Sequence, residues 1–260
     1  MTRVLSALVL LPVVLGTLWY LPPIATLVLA ELVVVLAFAE YASLAERLGL
    51  RLPKLVAPSA AVALCAAFYI GPSLVAIVLM TATVGLGMMG LAGPRPTALL
   101  GDVSASLFGA IYLGVSLGSL VAVRSDDGRA AALLLLATVM VSDTVQYYGG
   151  RAVGRTPLAP VVSPKKTVEG AVCGLLGGIL VMSVGGSWAL PEVGVVVRAL
   201  MGAALVGVGI AGDLFESQLK RAAGLKDASG LIPGHGGVLD RIDALLFTAP
   251  VYYVLLRIAA

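Results

Sequence analysis

LMGAALVGVGIAGDLFESQLKRAAGLKDASGLIPGHGGVLDRID, residues 200–243, runs an apolar helix directly into the most polar stretch of the chain. Up to Gly212 the segment is hydrocarbon and glycine. From Asp213 to Asp243 it carries Asp213, Glu216, Lys220, Arg221, Lys226, Asp227, Asp240, Arg241, Asp243 and the only histidine, His235, although just 12% of the chain is charged. Ionisable groups beside an apolar span are costly to keep, and their concentration there marks a working site.

Outward from this junction the composition sets the class. With 60% hydrophobic residues, mean hydropathy +1.05 and repeated apolar runs near 20 residues, the chain reads as an all-α, polytopic integral membrane protein, not a soluble domain. No strand alternation with a polar lumen face appears, so a barrel is not expected. Nine spans are predicted near 4–20, 24–42, 55–71, 73–92, 102–123, 130–149, 168–190, 199–216 and 243–258. The first is read as a retained helix and not a signal peptide, because Pro12, the Trp19/Tyr20 pair and the lack of a small-residue cleavage site favour a span. With the N-terminus inside, all of the 17 Lys and Arg residues except Arg124, Arg129, Arg198 and Arg257 fall on the inner side. The polar cassette is therefore expected to face the cytoplasm, in a multi-pass protein of the cell's inner (plasma) membrane. Residues 1–130 are read as N-terminal transmembrane helices and 131–260 as the catalytic transmembrane region. Cys65 and Cys173 lie in apolar runs without metal spacing and read as small hydrophobes. Glu31 and Glu40 sit in the second span without an evident partner, and the RSDDGR turn (residues 124–129) carries no functional expectation.

Helical spacing turns the polar residues into a site. Asp213, Glu216, Ser217 and Lys220 (i, i+3, i+4, i+7) share one helix face, as do Asp240 and Asp243 on the next helix. A hairpin between them gathers carboxylates, which repel unless a cation intervenes; oxygen ligands next to phosphate suit Mg²⁺. Between them SGLIPGHGGVLDR has four glycines, Gly230, Gly234, Gly236 and Gly237, able to bring backbone N–H groups to a phosphate. His235 reads as a general base, a base-edge contact or a loop anchor.

A second polar group lies upstream, in Ser142, Asp143, Gln146 and Tyr147 followed by GGRAVGRTPLAPVVSPKKTVEGAVCG (residues 149–174). An unpaired Asp143 at full membrane depth would cost roughly 2.5–3.5 kcal/mol, so it needs a partner: a metal shared with Asp213 or Asp240, or a base such as Arg151 or Lys165. Ser163 or Thr167 is placed to cap the following helix with Glu169 in its first turn, and Lys165 and Lys166 lie at the membrane surface. Metal on carboxylates with cations around a polyanion is the electrostatic kit of phosphoryl or nucleotidyl transfer.

These residues also carry a resemblance. Ser217, Lys220, Arg221, Lys226, Asp227, Pro233, His235, Gly236, Gly237, Asp240, Arg241 and Asp243 fall at the spacing of the signature of phosphatidate cytidylyltransferases (CDP-diacylglycerol synthases). Ser142, Asp143, Tyr147, Gly150, Arg151, Gly154, Pro160, Ser163, Pro164, Lys165, Lys166, Thr167, Glu169 and Gly170 match the same family's upstream motif, so the resemblance covers about residues 140–250. Gln146 stands where a small residue is common, and Arg155 where Lys is common.

The resemblance implies a dimeric, all-helical membrane enzyme that moves the cytidylyl group of CTP to phosphatidate, giving CDP-diacylglycerol and pyrophosphate. It implies Mg²⁺, with K⁺ beside it, on Asp213 and Asp240, with Asp243 and Asp143 close by. The expected catalytic set is Asp213, Lys220, Arg221, Lys226, Asp227, Asp240 and Asp243. The expected substrate-binding set is Ser163, Lys165, Lys166, Thr167, Ser217, His235, Gly236, Gly237 and Arg241, and the metal set is Asp143, Asp213, Asp240 and Asp243. The partners are CTP, phosphatidate, the bilayer and a second copy, with no nucleic acid. A CTP-dependent transferase for another lipid phosphate or a polyprenol, a transporter, and a non-catalytic scaffold are the alternatives.

Overall fold

The computed structural model describes residues 2–93, 95–231 and 236–259, and of residues 2–9 the backbone alone. Its helices are α1 (Thr2–Tyr20), α2 (Pro23–Arg47), α3 (Val56–Ile70), α4 (Pro72–Leu91), α5 (Leu99–Ala110), α6 (Ser116–Ala122), α7 (Gly128–Val153), α8 (Val168–Ala189), α9 (Val195–Ala222) and α10 (Leu239–Ala259). The all-helical membrane class holds. The expected count of nine spans is not confirmed: among the described residues six helical segments are long and apolar enough to cross a membrane. Residues 96–153 count there as one segment, with π-helical turns at Ile111–Val115 and Val123–Asp127 and a break in the helical dihedrals at Gly128 (φ +90°, ψ 176°), where α7 begins. The α3 helix is shorter than a span of that kind.

One piece of sheet was not expected. β1 (Pro157–Ala159) pairs antiparallel with β2 (Ser163–Thr167) between α7 and α8. Pro157, Pro160 and Pro164 explain it, since their rings and missing N–H groups exclude a continued helix. Of the two expected caps, Ser163 and Thr167, it is Thr167 that caps α8, its hydroxyl accepting the Gly170 N–H at 3.1 Å.

Helix approach depends on small residues, as expected where lipid supplies no hydrophobic drive between helices. On α8 the buried stripe is Gly170, Gly174, Gly178, Met182 and Gly186 at four-residue intervals. A Cβ on Gly174 would lie 3.0 Å from the Ser142 carbonyl of α7, and one on Gly202 of α9 would lie 2.9 Å from the Gly178 carbonyl. No side chain fits between these backbones. Neither cysteine is disulfide-bonded; Cys65 is buried as read, and Cys173 is partly exposed.

The polar ends of α9 and α10 rest on an aromatic cluster shared with the N-terminal helices. Phe215 of α9 and Phe247 of α10 (centroids 5.5 Å apart) meet Tyr112 and Phe108, with Phe108–Tyr112 stacked at 5.3 Å. The Ser116 hydroxyl donates to the Leu246 carbonyl at 2.5 Å, pinning α6 to α10. At the opposite end Arg257 pairs with Asp126 and Asp127, and Arg124 donates to the Leu18 and Leu21 carbonyls.

Candidate active site

The stripe on α9 forms as its spacing requires. The Ser217 hydroxyl donates to Asp213 Oδ1 at 3.3 Å, and Lys220 Nζ lies 2.5 Å from Glu216 Oε2, each one turn apart. Around this stripe the acidic residues divide into two groups.

In the first group Lys166 forms an ion pair with Asp213. The charges of Asp143, Asp213 and Lys166 all act on Asp243, and those of Asp213 and Lys166 act on Asp143. Three carboxylates from three helices thus lie within electrostatic reach of one ammonium, which is in contact with Asp213. Of the two lysines on β2, Lys166 is half-buried and reaches Asp213 of α9, whereas Lys165 is exposed. The ribbon is itself anchored by Glu169, whose carboxylate accepts the Arg155 N–H at 3.0 Å and the Thr156 N–H at 3.1 Å.

In the second group Lys220 bridges Glu216 and Asp240, each at 2.5 Å. Glu216 is fully buried, and the Asp240 side chain is 6% exposed. Asp240 Oδ2 also accepts the N–H groups of Ala228 (2.9 Å) and Gly237 (2.7 Å). Asp240 was expected beside Asp213 on one metal; in the structure its oxygens are taken by an ammonium and two loop amides. Its place in the first turn of α10, where the loop folds back, explains this. Asp243, one turn on, faces the first group.

Among the described residues no three His, Cys, Asp or Glu side chains stand close enough to ligate one ion together. Mg²⁺ needs no such cage, since it takes one or two carboxylates and keeps waters. The first group fits that demand, with three carboxylates against one cation.

The remaining expected residues lie around these groups. Arg221 is exposed and donates to the Leu225 carbonyl at 3.2 Å. Lys226, Asp227 and Arg241 are exposed, Ser163 is on β2, and Gly236 takes φ +81° at the loop's return. His235 lies outside the described residues.

Two residues escaped the sequence reading of the site. Glu216 was visible on the stripe but given no role. Glu40 of α2, 5% exposed, accepts the Ser229 hydroxyl (2.6 Å) and the Val238 N–H (3.0 Å) on Oε1, and the Leu239 N–H (2.8 Å) on Oε2. The only signal for Glu40 was the expense of a carboxylate in a span.

The sequence profile of the cytidylyltransferase family matches residues 1–259. The chain belongs to the cytidylyltransferase family. A relative in Pseudomonas aeruginosa named phosphatidate cytidylyltransferase is 36% identical over 269 aligned positions, covering 98% of this chain and 96% of that one. Relatives of the same name in Aquifex aeolicus (44% identical, 48% of this chain and 46% of that one) and Helicobacter pylori strain 26695 (42%, 56% and 54%) align over shorter stretches. The chain spans about half the length of these last two. As a cytidylyltransferase family member it carries both polar motifs at the same end of one helical bundle.

Proposed function

We propose that this protein transfers the cytidylyl group of CTP to phosphatidate, releasing pyrophosphate and leaving CDP-diacylglycerol in the membrane. The observation that carries this reading is the Lys166–Asp213 pair, which joins the upstream motif to the cassette and has Asp143 and Asp243 beside it. In this reading a phosphatidate oxygen forms a bond to the α-phosphorus of CTP, and the bond from that phosphorus to the α,β-bridging oxygen breaks, that oxygen leaving with pyrophosphate. Both reactants are polyanions, so the first requirement is to offset their repulsion. Mg²⁺ on one or two of the Asp213, Asp243 and Asp143 carboxylates would supply a compact charge that polarises phosphate oxygens. Lys166, released from Asp213, would hold the lipid phosphate, while Arg221 and Lys226, exposed at the water side, would receive the triphosphate. A phosphate monoester is already nucleophilic near neutral pH, so no protein base is needed.

The same proposal has the site at the cytoplasmic face of the inner membrane, reached by CTP from water and by lipid from the leaflet, with the protein working as a homodimer. The clustering of basic residues at the site end supports that orientation. Purified protein in mixed micelles, given labelled CTP, Mg²⁺ and a panel of lipid phosphates and polyprenols, is expected to label phosphatidate. Labelling of another acceptor, or none, would overturn the substrate assignment.

The two lysines separate in the same assay. Lys166→Ala is expected to lower kcat/KM for phosphatidate by roughly 10²-fold, the scale of losing one preorganised charge contact. Lys165→Ala should cost no more than about fivefold, since an exposed charge is worth about 1 kcal/mol or less. Equal effects would contradict the strand geometry.

A further inference from the structure

We infer that Glu40, on a helix outside both motifs, is a positioning residue for the CTP half of the site; this rests on the function proposed above. The loop between α9 and α10 leaves and returns through two limbs, Ala228–Ser229 and Gly237–Leu239. Two carboxylates cross-tie them. Asp240 takes the Ala228 and Gly237 amides, and Glu40 takes the Ser229 hydroxyl together with the Val238 and Leu239 amides. Asp240 is part of the loop's own return, whereas Glu40 ties the base of the loop to a helix of the N-terminal half.

A helix start needs only a local Ser, Thr, Asp or Asn to cap its free N–H groups. Here the acceptor of the Leu239 amide comes from a distant helix and holds the other limb as well, which a simple cap would not do. Gly237 is fitted to the same contact: a Cβ there would lie 2.5 Å from Glu40 Oε2 and 2.7 Å from its Cδ. The consequence passes inward through Asp240, which holds Lys220 at 2.5 Å. If Glu40 releases the loop, Asp240, the Lys220 ammonium and Lys226, which the same loop carries and which receives the triphosphate in the function proposed above, lose their fixed positions, whereas Lys166, on the β ribbon, does not. Glu40 therefore bears on the nucleotide and not on the lipid.

The test uses the full-length protein in detergent with Glu40→Gln, and Gly237→Ala as an independent change to the same contact. Glu40→Gln keeps the shape but places an amide group against donors. Both variants are expected to raise KM for CTP about tenfold or more, leaving KM for phosphatidate within about twofold. Hydrogen exchange at the Val238 and Leu239 amides should quicken in Glu40→Gln, whether or not the protein turns over. Unchanged KM for CTP, or a fall in thermal midpoint with both KM values unchanged, would overturn the inference, as would unchanged exchange at both amides. Absence of CDP-lipid formation by the unsubstituted protein would instead remove the proposed function, with the exchange result still reporting whether Glu40 holds the loop.

Discussion

Asp213→Asn is expected to leave the protein folded and to cut CDP-diacylglycerol synthesis by roughly 10²- to 10³-fold, the range for losing one electrostatic element of a transfer site. Asn keeps the size of the side chain and an oxygen for the Ser217 hydroxyl, so packing is preserved. It removes the charge that pairs with Lys166 and that acts on Asp143 and Asp243. The side chain is 31% exposed, so no buried group is orphaned by the change. Initial rates across a Mg²⁺ titration check it: the requirement for Mg²⁺ should rise about 10- to 100-fold. Undiminished turnover at ordinary Mg²⁺ would remove the metal from this group of carboxylates.

Lys220→Met should act on the fold as much as on the chemistry. It leaves Glu216, 0% exposed, and Asp240, 6% exposed, facing each other without their shared cation. Breaking a buried pair from one side costs roughly 3–5 kcal/mol, because the uncompensated charge stays behind. Glu216→Gln added to Lys220→Met should recover part of the loss. Thermal midpoints of the parent, both single variants and the double variant form the cycle that measures this coupling. Additive effects would mean that Lys220 and Glu216 do not act as a unit, and activity should fall in every variant lacking Lys220.

Much of the site was legible because helical spacing is local. Asp213, Glu216, Ser217 and Lys220 lie within two turns, and their shared face follows from 3.6 residues per turn alone. The Thr167 cap was legible for the same reason. What the sequence hid was long-range or changed period. Lys165 and Lys166 look alike until the ribbon buries one against Asp213 and leaves the other exposed. Asp240 and Asp243 share a helix face, yet the returning loop claims one and the α7–α9 carboxylates the other. Glu40 could not be assigned, since nothing in residues 23–47 refers to a loop beginning after residue 222. The π turns at Ile111–Val115 and Val123–Asp127 left no local signal, although Gly128, with φ +90°, does break the helical backbone between the spans read at 102–123 and 130–149.

The aromatic cluster of Phe108, Tyr112, Phe215 and Phe247 gives the acidic groups an unequal environment. On that side lies a wall of rings that polarises poorly; on the other, the water-facing loops. Field lines from buried charges spread away from low-dielectric material and emerge through the open side. The field of Asp143, Asp213, Glu216, Asp240 and Asp243 is therefore felt toward the loops, where Arg221 and Lys226 are exposed. The rings thus make the polar end one-sided, so that ions exchange with it from the water and not through the bundle.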